Sequence, residues 1–294
     1  MSSEEPSALA DAPYVADPDL KKYALLLSYE GTAYCGWQKQ KGSGASGAPS
    51  IQETIEKTLM RITSENSISL VGSGRTDAGV HAVGQVAHFV LRRKAWDLGI
   101  LQKGLNSLLP RDIRVISTQQ VAVDFHAQRS AEKKQYSYYF QQGACALPSL
   151  SPYSWWIKKK LDLEAMNAGL HHLLGRRDFK PFQASGSNPG PTVREILEGE
   201  VTWEPIPHPH QTPVEDHPFG YVRVRVVGTG FLKQMVRGIS GTLLEVGEGR
   251  RDSDCFRQIL ESADRRQVGP TAPARALWLE QVWYPGMRWN RVDR

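Results

Sequence analysis

Short apolar runs and longer amphipathic stretches alternate along the chain, and their order in the first half recurs in the second. An apolar run at residues 24–29 predicts a buried strand, and Ile51 and Ile55 then begin a repeat with the spacing of a helix. A second amphipathic stretch begins at Asp162 and is again followed by strand patterns. Because strand–helix–strand units occur twice, the sequence predicts an α+β protein with two similar halves.

The expected helices carry start and stop signals. Ser50 and Glu53 form a capping box, in which the serine accepts from the first-turn amides and the glutamate reaches back. The helix from Asp162 is expected to end with Gly175 as its C-cap, and a third helix is expected over residues 231–246. The other expected elements are strands at residues 68–71, 85–91, 114–123, 135–140, 198–203, 221–227 and 277–284, and helices at 98–109 and from Asp252.

The length of 294 residues suggests about two domains. We expect residues 1–20, which are acidic and hold no basic residue, to form a disordered tail. Residues 21–128 are then expected to form one α+β domain, and residues 129–294 a second. Residues 204–219 are too rich in proline for regular structure.

The net charge does not identify a binding partner, but the cysteine content indicates in which cellular compartment the protein works. The chain has 36 Lys and Arg against 31 Asp and Glu, and this formal charge of +5 permits nucleic-acid binding without arguing for it. Cys35, Cys145 and Cys255 are too far apart for a metal knuckle and odd in number, so a reducing, cytoplasmic setting is expected. No apolar run approaches the ~18 residues of a membrane helix, so no membrane partner is expected.

The densest polar cluster lies between two predicted strands, at residues 72–81. Its glycines let the backbone turn tightly and approach a ligand closely, so that Asp77, beside Arg75, could present a carboxylate to a substrate. The alternative is a simple turn in which Asp77 caps the next element and Arg75 is solvated. The residue pattern alone leaves both interpretations open.

Arg237 and Tyr136 are two further candidates. Arg237 shares a helix face with the small residues Ser240 and Gly241, where a nearby carboxylate would be held ionised. A solvated surface arginine is the alternative. Tyr136 and Tyr138 alternate on a strand and could stack on bases, although core packing is the commoner role of such aromatics.

Patterns for metal or cofactor sites are weak. His208, His210 and His217 lie in a proline-rich segment without a rigid scaffold, which disfavours a metal site there. His171 and His172 are adjacent on a helix, so they point about 100° apart and cannot bind jointly. The chain has no P-loop, nucleophile elbow or deaminase zinc pattern, which excludes most classes of cofactor-dependent enzyme, and no metal site is expected.

Seven short motifs follow one another along the chain. They are residues 29–38 (YEGTAYCGWQ), 50–53 (SIQE), 74–86 (GRTDAGVHAVGQV), 106–113 (NSLLPRDI), 125–127 (FHA), 136–138 (YSY) and 231–237 (FLKQMVR). In sequence and in order they resemble the motifs of the tRNA pseudouridine synthase A family. The resemblance extends from about Lys21 to about Tyr284.

The resemblance implies an isomerase that converts uridine to pseudouridine in tRNA, at positions 38, 39 and 40 of the anticodon stem-loop. In this reaction the C1′–N1 bond breaks, the uracil rotates while bound, and C5 bonds to C1′, without a cofactor. The resemblance implies that Asp77 is the essential carboxylate and Arg237 its partner. Tyr136 would stack on the flipped uracil, with its phenol as a candidate acceptor of the C5 proton. Three more residues are implied as substrate contacts: Arg75, which would fill the space that the base vacates, His81 and Gln85.

The resemblance also implies an architecture and a partner. It implies two similar domains whose antiparallel sheets join edge to edge, with helices on one face and the catalytic cleft between the domains. It further implies a homodimer in which one tRNA contacts both subunits. Candidate phosphate contacts are Lys39, Lys41, Arg92, Arg93 and Lys94.

Two other functions stay open at this point: a catalytically silent tRNA-binding protein on the same scaffold, and a pseudouridine synthase of another specificity. The combination of Asp77, Tyr136 and Arg237 favours an enzyme, because a binding protein has no need for all three. Whether Asp77 would attack C1′ or C6, or promote elimination to a glycal, is left open as well.

Overall fold

The computed structural model describes residues 20–39, 47–92, 95–187, 189–205 and 220–289. Most of the predicted tail (residues 1–20) and of the proline-rich segment (residues 204–219) lies outside these ranges. Also outside them are Lys41, Arg93, Lys94 and the three histidines of the proline-rich segment. The disorder expected for the tail therefore stays a prediction.

Ten strands and five α-helices are present in the described ranges. In chain order they are β1 (Lys21–Tyr29), α1 (Ile51–Thr63), β2 (Val71–Gly72), β3 (His81–Leu91), α2 (Leu98–Leu108), β4 (Ile113–Val121), β5 (Lys133–Gln142), β6 (Trp155–Ile157), α3 (Leu163–His171), β7 (Gly175–Asp178), β8 (Val193–Pro205), β9 (Gly220–Gly228), α4 (Met235–Gly247), α5 (Cys255–Ser262) and β10 (Leu277–Trp283). This content confirms the predicted α+β class.

All of the described strands belong to one sheet, in the order β4-β1-β3-β10-β5-β9-β8-β7, with β2 on β3 and β6 on β5. Most neighbours are antiparallel, but β10 runs parallel to β3 and β6 runs parallel to β5. The strands of the two halves therefore meet at the β3–β10 pair, in which Trp278 faces His81 and Leu279 faces Ala82. The expectation of purely antiparallel sheets is wrong at these two pairs, and the sheet is mixed.

Alternation along the strands separates an apolar face of the sheet from a polar one. On β9, Val222, Val224 and Val226 are buried, whereas Arg223 and Arg225 point to the other face. That other face carries ion pairs between neighbouring strands, such as Arg223 Nη2 to a Glu280 oxygen at 2.7 Å. The apolar face supplies one hydrophobic cluster that continues across both halves of the chain.

Helices pack on strands of both halves: α2 on β4, α3 on β8 and α4 on β5. The helix starts follow the sequence signals only in part. The Ser50 hydroxyl accepts from the Glu53 amide at 3.1 Å, as predicted. The Glu53 side chain, however, pairs with Lys57 at 2.7 Å, and no return bond to the Ser50 amide is found in the described residues. Half of the expected capping box is therefore present.

Several element boundaries differ from the predictions. The strand expected at residue 85 already begins at His81, and the strand expected at residues 68–71 is reduced to two residues. Helix α3 ends at His171, and Gly175 opens β7 instead of capping the helix. Helix α4 begins only at Met235, because the preceding Gln234 has a left-handed backbone with φ of 61° that breaks the helical path.

Candidate active site

The polar loop between β2 and β3 is held from beneath by Gln85, whose side chain is fully buried. Its Nε2 donates to the Gly74 carbonyl at 2.9 Å, and its Oε1 accepts from the Ser73 hydroxyl at 2.6 Å. A buried amide that satisfies both a donor and an acceptor of the loop restricts the loop to one shape. The residues that follow, from Arg75 onward, are positioned by this anchor.

A second set of bonds fixes Thr76, the residue before Asp77. The Thr76 carbonyl accepts from the Trp37 amide at 3.0 Å, and its hydroxyl bonds to the Tyr29 hydroxyl at 2.8 Å. Tyr29 is the last residue of β1, so this strand and the segment that follows it, which contains Trp37, both hold the loop. Together with the bond from Val80 N to the Asp77 carbonyl at 3.1 Å, these contacts leave the Asp77 side chain free to project from a rigid backbone.

Asp77 and Arg237 are in direct contact, as the sequence led us to expect. Nη1 of Arg237 donates to Oδ2 of Asp77 at 3.1 Å, and the two side chains are 15% and 23% exposed respectively. Arg237 is itself fixed by Ala272, since its Nε donates to the Ala272 carbonyl at 2.7 Å and its own carbonyl accepts from the Ala272 amide at 3.1 Å. The carboxylate of the β2–β3 loop thus meets a guanidinium from the first turn of α4, 160 residues away.

Tyr136 lies on β5 beside this pair and is almost fully buried. Its ring packs edge-to-face against Phe231, with centroids 5.1 Å apart at an angle of 79°. Burial, and then the charges of Tyr29 and Asp77, raise the pKa of the Tyr136 phenol far above its usual value. A phenol that holds its proton so firmly is better suited to stacking on a base than to accepting a proton in the unliganded protein.

Arg75 has the opposite environment. Its side chain is exposed, and it forms no hydrogen bond or ion pair with any other described residue. An exposed guanidinium two residues before Asp77 remains available to phosphate or to a base edge. The same availability holds for Lys39 and Arg92, which are exposed on the surface.

His81 is not exposed at all, and both of its ring nitrogens are occupied. Nδ1 accepts from the Gly31 amide at 3.0 Å, and Nε2 lies 2.9 Å from the Arg275 carbonyl. Because Nδ1 accepts, Nε2 must carry the proton and donate it. Burial lowers the pKa of His81, against an opposing effect of Glu30, so the ring is a neutral connector between segments.

His81 and Gln85 therefore lie inside the wall of the site. Asp77 and Arg237 are partly exposed, Arg75 is exposed, and Tyr136 is buried beside them. The sequence did not assign a role to Lys134, which is buried two residues before Tyr136 on the same face of β5. The period-two spacing of Lys134 and Tyr136 is the signal that could have revealed it. Over the described ranges, no group of three or more His, Cys, Asp or Glu residues could hold a metal ion.

The described helices also include none that is both long and apolar enough to cross a bilayer. The three cysteines are free, and they are distributed over different parts of the fold.

Comparison with known proteins agrees with the motifs. A family model described as tRNA pseudouridine synthase matches residues 26–128 and 170–285. A tRNA pseudouridine synthase A from Streptococcus mutans is 38% identical over 263 residues, which cover 90% of this chain and 98% of that protein. A tRNA pseudouridine synthase A from Myxococcus xanthus is 40% identical over 269 residues, with 90% and 92% of the two chains covered.

Among solved structures, a chain of a Cbf5–Nop10–Gar1 complex aligns with 76% of this chain and 45% of its own length. Its sequence identity of 12% and TM-score of 0.29 are too low to support any inference. The family model, by contrast, covers Asp77 in its first matched stretch and Arg237 in its second, and the two relatives each align with 90% of this chain. The chain therefore belongs to the tRNA pseudouridine synthase family.

Proposed function

We propose that this protein isomerises uridine to pseudouridine in tRNA, at positions 38, 39 and 40 of the anticodon stem-loop. The observation that carries the proposal is the contact between the Asp77 carboxylate and the Arg237 guanidinium, with the buried Tyr136 ring beside it. The reaction rearranges bonds within one nucleotide, so every atom of the product comes from the substrate. Neither a cofactor nor a metal is needed for the chemistry that we propose.

Asp77, Arg237, Tyr136 and Arg75 each have a role in this proposal. Asp77 is the carboxylate that assists cleavage of the C1′–N1 bond, and Arg237 orients it through the 3.1 Å hydrogen bond. Tyr136 is the surface on which the flipped uracil stacks. Arg75 contacts the phosphate backbone and fills the space that the base leaves in the stem. We assign the buried His81 and Gln85 to positioning of the loop rather than to contact with substrate.

The proposed architecture places the catalytic cleft between two domains, residues 21–128 and 129–294. It is supported by the origin of the site residues, since Asp77 belongs to the first range and both Tyr136 and Arg237 to the second. We further propose a homodimer that binds one tRNA across two subunits, and a cytoplasmic location, which suits free cysteines and a tRNA substrate. Light scattering of the purified chain would test the dimer.

The test of the activity is release of tritium from tRNA that carries C5-tritiated uridine. Asp77→Asn keeps the shape of the side chain and removes its charge, so we expect tritium release to stop while tRNA binding persists. Asp124→Asn is the matched control, because Asp124 is exposed in the same half of the chain. Mapping of the modified positions in the product would test the site preference.

Two outcomes would contradict the proposal. A wild-type chain that binds tRNA without releasing tritium would favour the silent binding protein instead. Undiminished release by Asp77→Asn would show that the Asp77–Arg237 pair is not the catalytic group.

A further inference from the structure

Lys134 is a buried ammonium without a carboxylate partner. The residue is 9% exposed, and no ion pair joins it to any residue in the described ranges. Its Nζ donates to the Ser73 carbonyl at 2.5 Å, which uses one of its three N–H groups. Burial of an unpaired charge is unfavourable, so a cation in this position suggests a partner that arrives from outside the chain.

The ammonium points toward the catalytic loop. Lys134 and Tyr136 project from the same face of β5, because they are two residues apart on a strand. A Cβ atom built on Gly74 would lie 3.5 Å from Nζ of Lys134 and 3.9 Å from the hydroxyl of Tyr136. The absence of a side chain at Gly74 therefore leaves the ammonium and the phenol against the same point of the loop, three residues before Asp77.

Among the residues that the structure describes, no anionic side chain lies where it could neutralise Lys134. Its register partners on the neighbouring strands are Gly228 on β9 and Val282 on β10, and neither is charged. Arg194 on β8 adds a second positive charge nearby, and Tyr136 is a protonated phenol. Burial, with a smaller effect of Arg194, lowers the pKa of Lys134 to about 8, so at neutral pH the group is still mostly protonated.

The chemistry of the proposed reaction supplies the missing anion. When the C1′–N1 bond breaks heterolytically, its electron pair leaves with the base, and the negative charge spreads over N1 and the two carbonyl oxygens of the uracil. Resting on the proposed function, we propose that Lys134 donates a hydrogen bond to a carbonyl oxygen of the target uracil and stabilises this departing base. Lys134 keeps its proton throughout; C5 then bonds to C1′, C5 releases its proton, and N1 takes one up.

A uracil carbonyl fits this position better than a backbone phosphate does. The phosphates of a nucleotide that has flipped into a cleft remain near the protein surface, where the exposed Arg75 lies. Lys134, in contrast, is buried, and its Nζ lies against the same point of Gly74 as the hydroxyl of Tyr136, on whose ring the base is proposed to stack. In a site that excludes water, removing one hydrogen-bond donor to an atom that becomes negatively charged in the transition state lowers the reaction rate about 10²–10³-fold.

The test compares Lys134→Met, Lys134→Arg and Lys134→Gln with the wild type in single-turnover tritium release at saturating enzyme. Lys133→Met is the matched control, since Lys133 is the adjacent residue on the opposite face of β5 and pairs with Glu198 at 3.4 Å. We expect Lys134→Met to lose about 10²–10³ in rate with a tRNA dissociation constant unchanged within about threefold. Lys134→Gln, which keeps an N–H donor without the charge, should lose nearly as much, and Lys134→Arg should recover most of the rate.

The pH dependence of the rate distinguishes this role of Lys134 from a purely structural one, which would not change it. The wild-type rate should fall above pH 8, as the Lys134 ammonium loses its proton. The rate of Lys134→Arg should stay level there, because a guanidinium keeps its proton. Tyr136 does not titrate in this range, since its pKa is raised well above it.

Several results would overturn the inference while leaving the proposed function intact. The first is that Lys134→Met is as active as an active wild type. The second is that Lys134→Gln is as active as the wild type. The third is that the wild type and Lys134→Arg have identical pH profiles. A loss confined to tRNA affinity, with a smaller salt dependence of binding, would indicate a phosphate contact instead. A wild type without any turnover would refute the proposed function itself, and this inference with it.

Discussion

Replacing Lys134 with methionine should make the folded protein more stable at neutral pH, although it removes a hydrogen bond. In the unfolded chain the ammonium has its ordinary pKa of 10.5, and burial in the folded state lowers the pKa to about 8. The folded state binds this proton less readily, so below pH 8 it carries the full free-energy cost of the buried charge. At about 1.4 kcal/mol for each pH unit between the two values, this cost is roughly 3 kcal/mol.

Loss of the hydrogen bond to Ser73 offsets about 1 kcal/mol of that gain, which leaves a net stabilisation of about 2 kcal/mol at pH 7. Above pH 8 the wild-type lysine becomes neutral in the folded state and its cost declines. The advantage of Lys134→Met should therefore shrink by about 1.4 kcal/mol per pH unit and disappear near pH 9.5.

Urea unfolding of wild type, Lys134→Met and Lys133→Met at pH 7, 8 and 9 would measure this difference. Lys133→Met should show little pH dependence relative to the wild type, because its side chain is partly exposed and paired. A Lys134→Met protein that is less stable than the wild type at pH 7 would refute the reasoning. So would a stability difference that stays constant between pH 7 and pH 9.

Three other substitutions test different parts of the structure. Gly31→Ala would place a Cβ 2.0 Å from the Val80 carbonyl oxygen, so the loop must shift. We expect the variant to be destabilised by about 1–3 kcal/mol and to lose at least about tenfold in turnover. Turnover equal to that of the wild type would contradict this. Arg237→Met should lower single-turnover tritium release by about 10²-fold with tRNA affinity kept in filter binding, and an equal loss of both would argue against orientation of Asp77. Burial lowers the pKa of His88 to about 4. Between pH 6.5 and pH 4, the free energy of unfolding measured in urea should therefore fall by roughly 3 kcal/mol more for the wild type than for His88→Gln. Equal decreases in the two proteins would show that His88 is not the titrating group.

The sequence predicted the elements with regular apolar periodicity. β1 and α1 were predicted because burial alternates or recurs at the expected period along each of them. The short strands β6 and β7 were not predicted, since three or four residues carry no measurable period. The parallel β3–β10 pair was also missed, because it joins segments about two hundred residues apart and no local pattern specifies such a partner.

The sequence predicted which residues belong to the candidate site better than it predicted where their side chains lie. The polar loop identified Asp77, and the resemblance to a family supplied its partner across 160 residues. The resemblance to the family implied that His81 and Gln85 contact the substrate. Their actual partners, such as the Gly31 amide and the Arg275 carbonyl, are distant in sequence. Burial of a polar side chain depends on such partners, and the sequence does not reveal them.

The position of β10 at the centre of the sheet has a consequence for synthesis of the protein. β10 is the last described element to leave the ribosome, yet it lies between β3 and β5 and completes the pairing of both. At translation rates of about 5–20 residues per second, roughly 10–40 s pass between the completion of β3 and the arrival of β10. During that interval the His81–Ala82 end of β3, and β5 once it has been made, each present an unpaired edge, which can recruit another nascent chain. The chain is thus most exposed to aggregation while it is being made, and truncation before Leu277 would leave this vulnerability permanent.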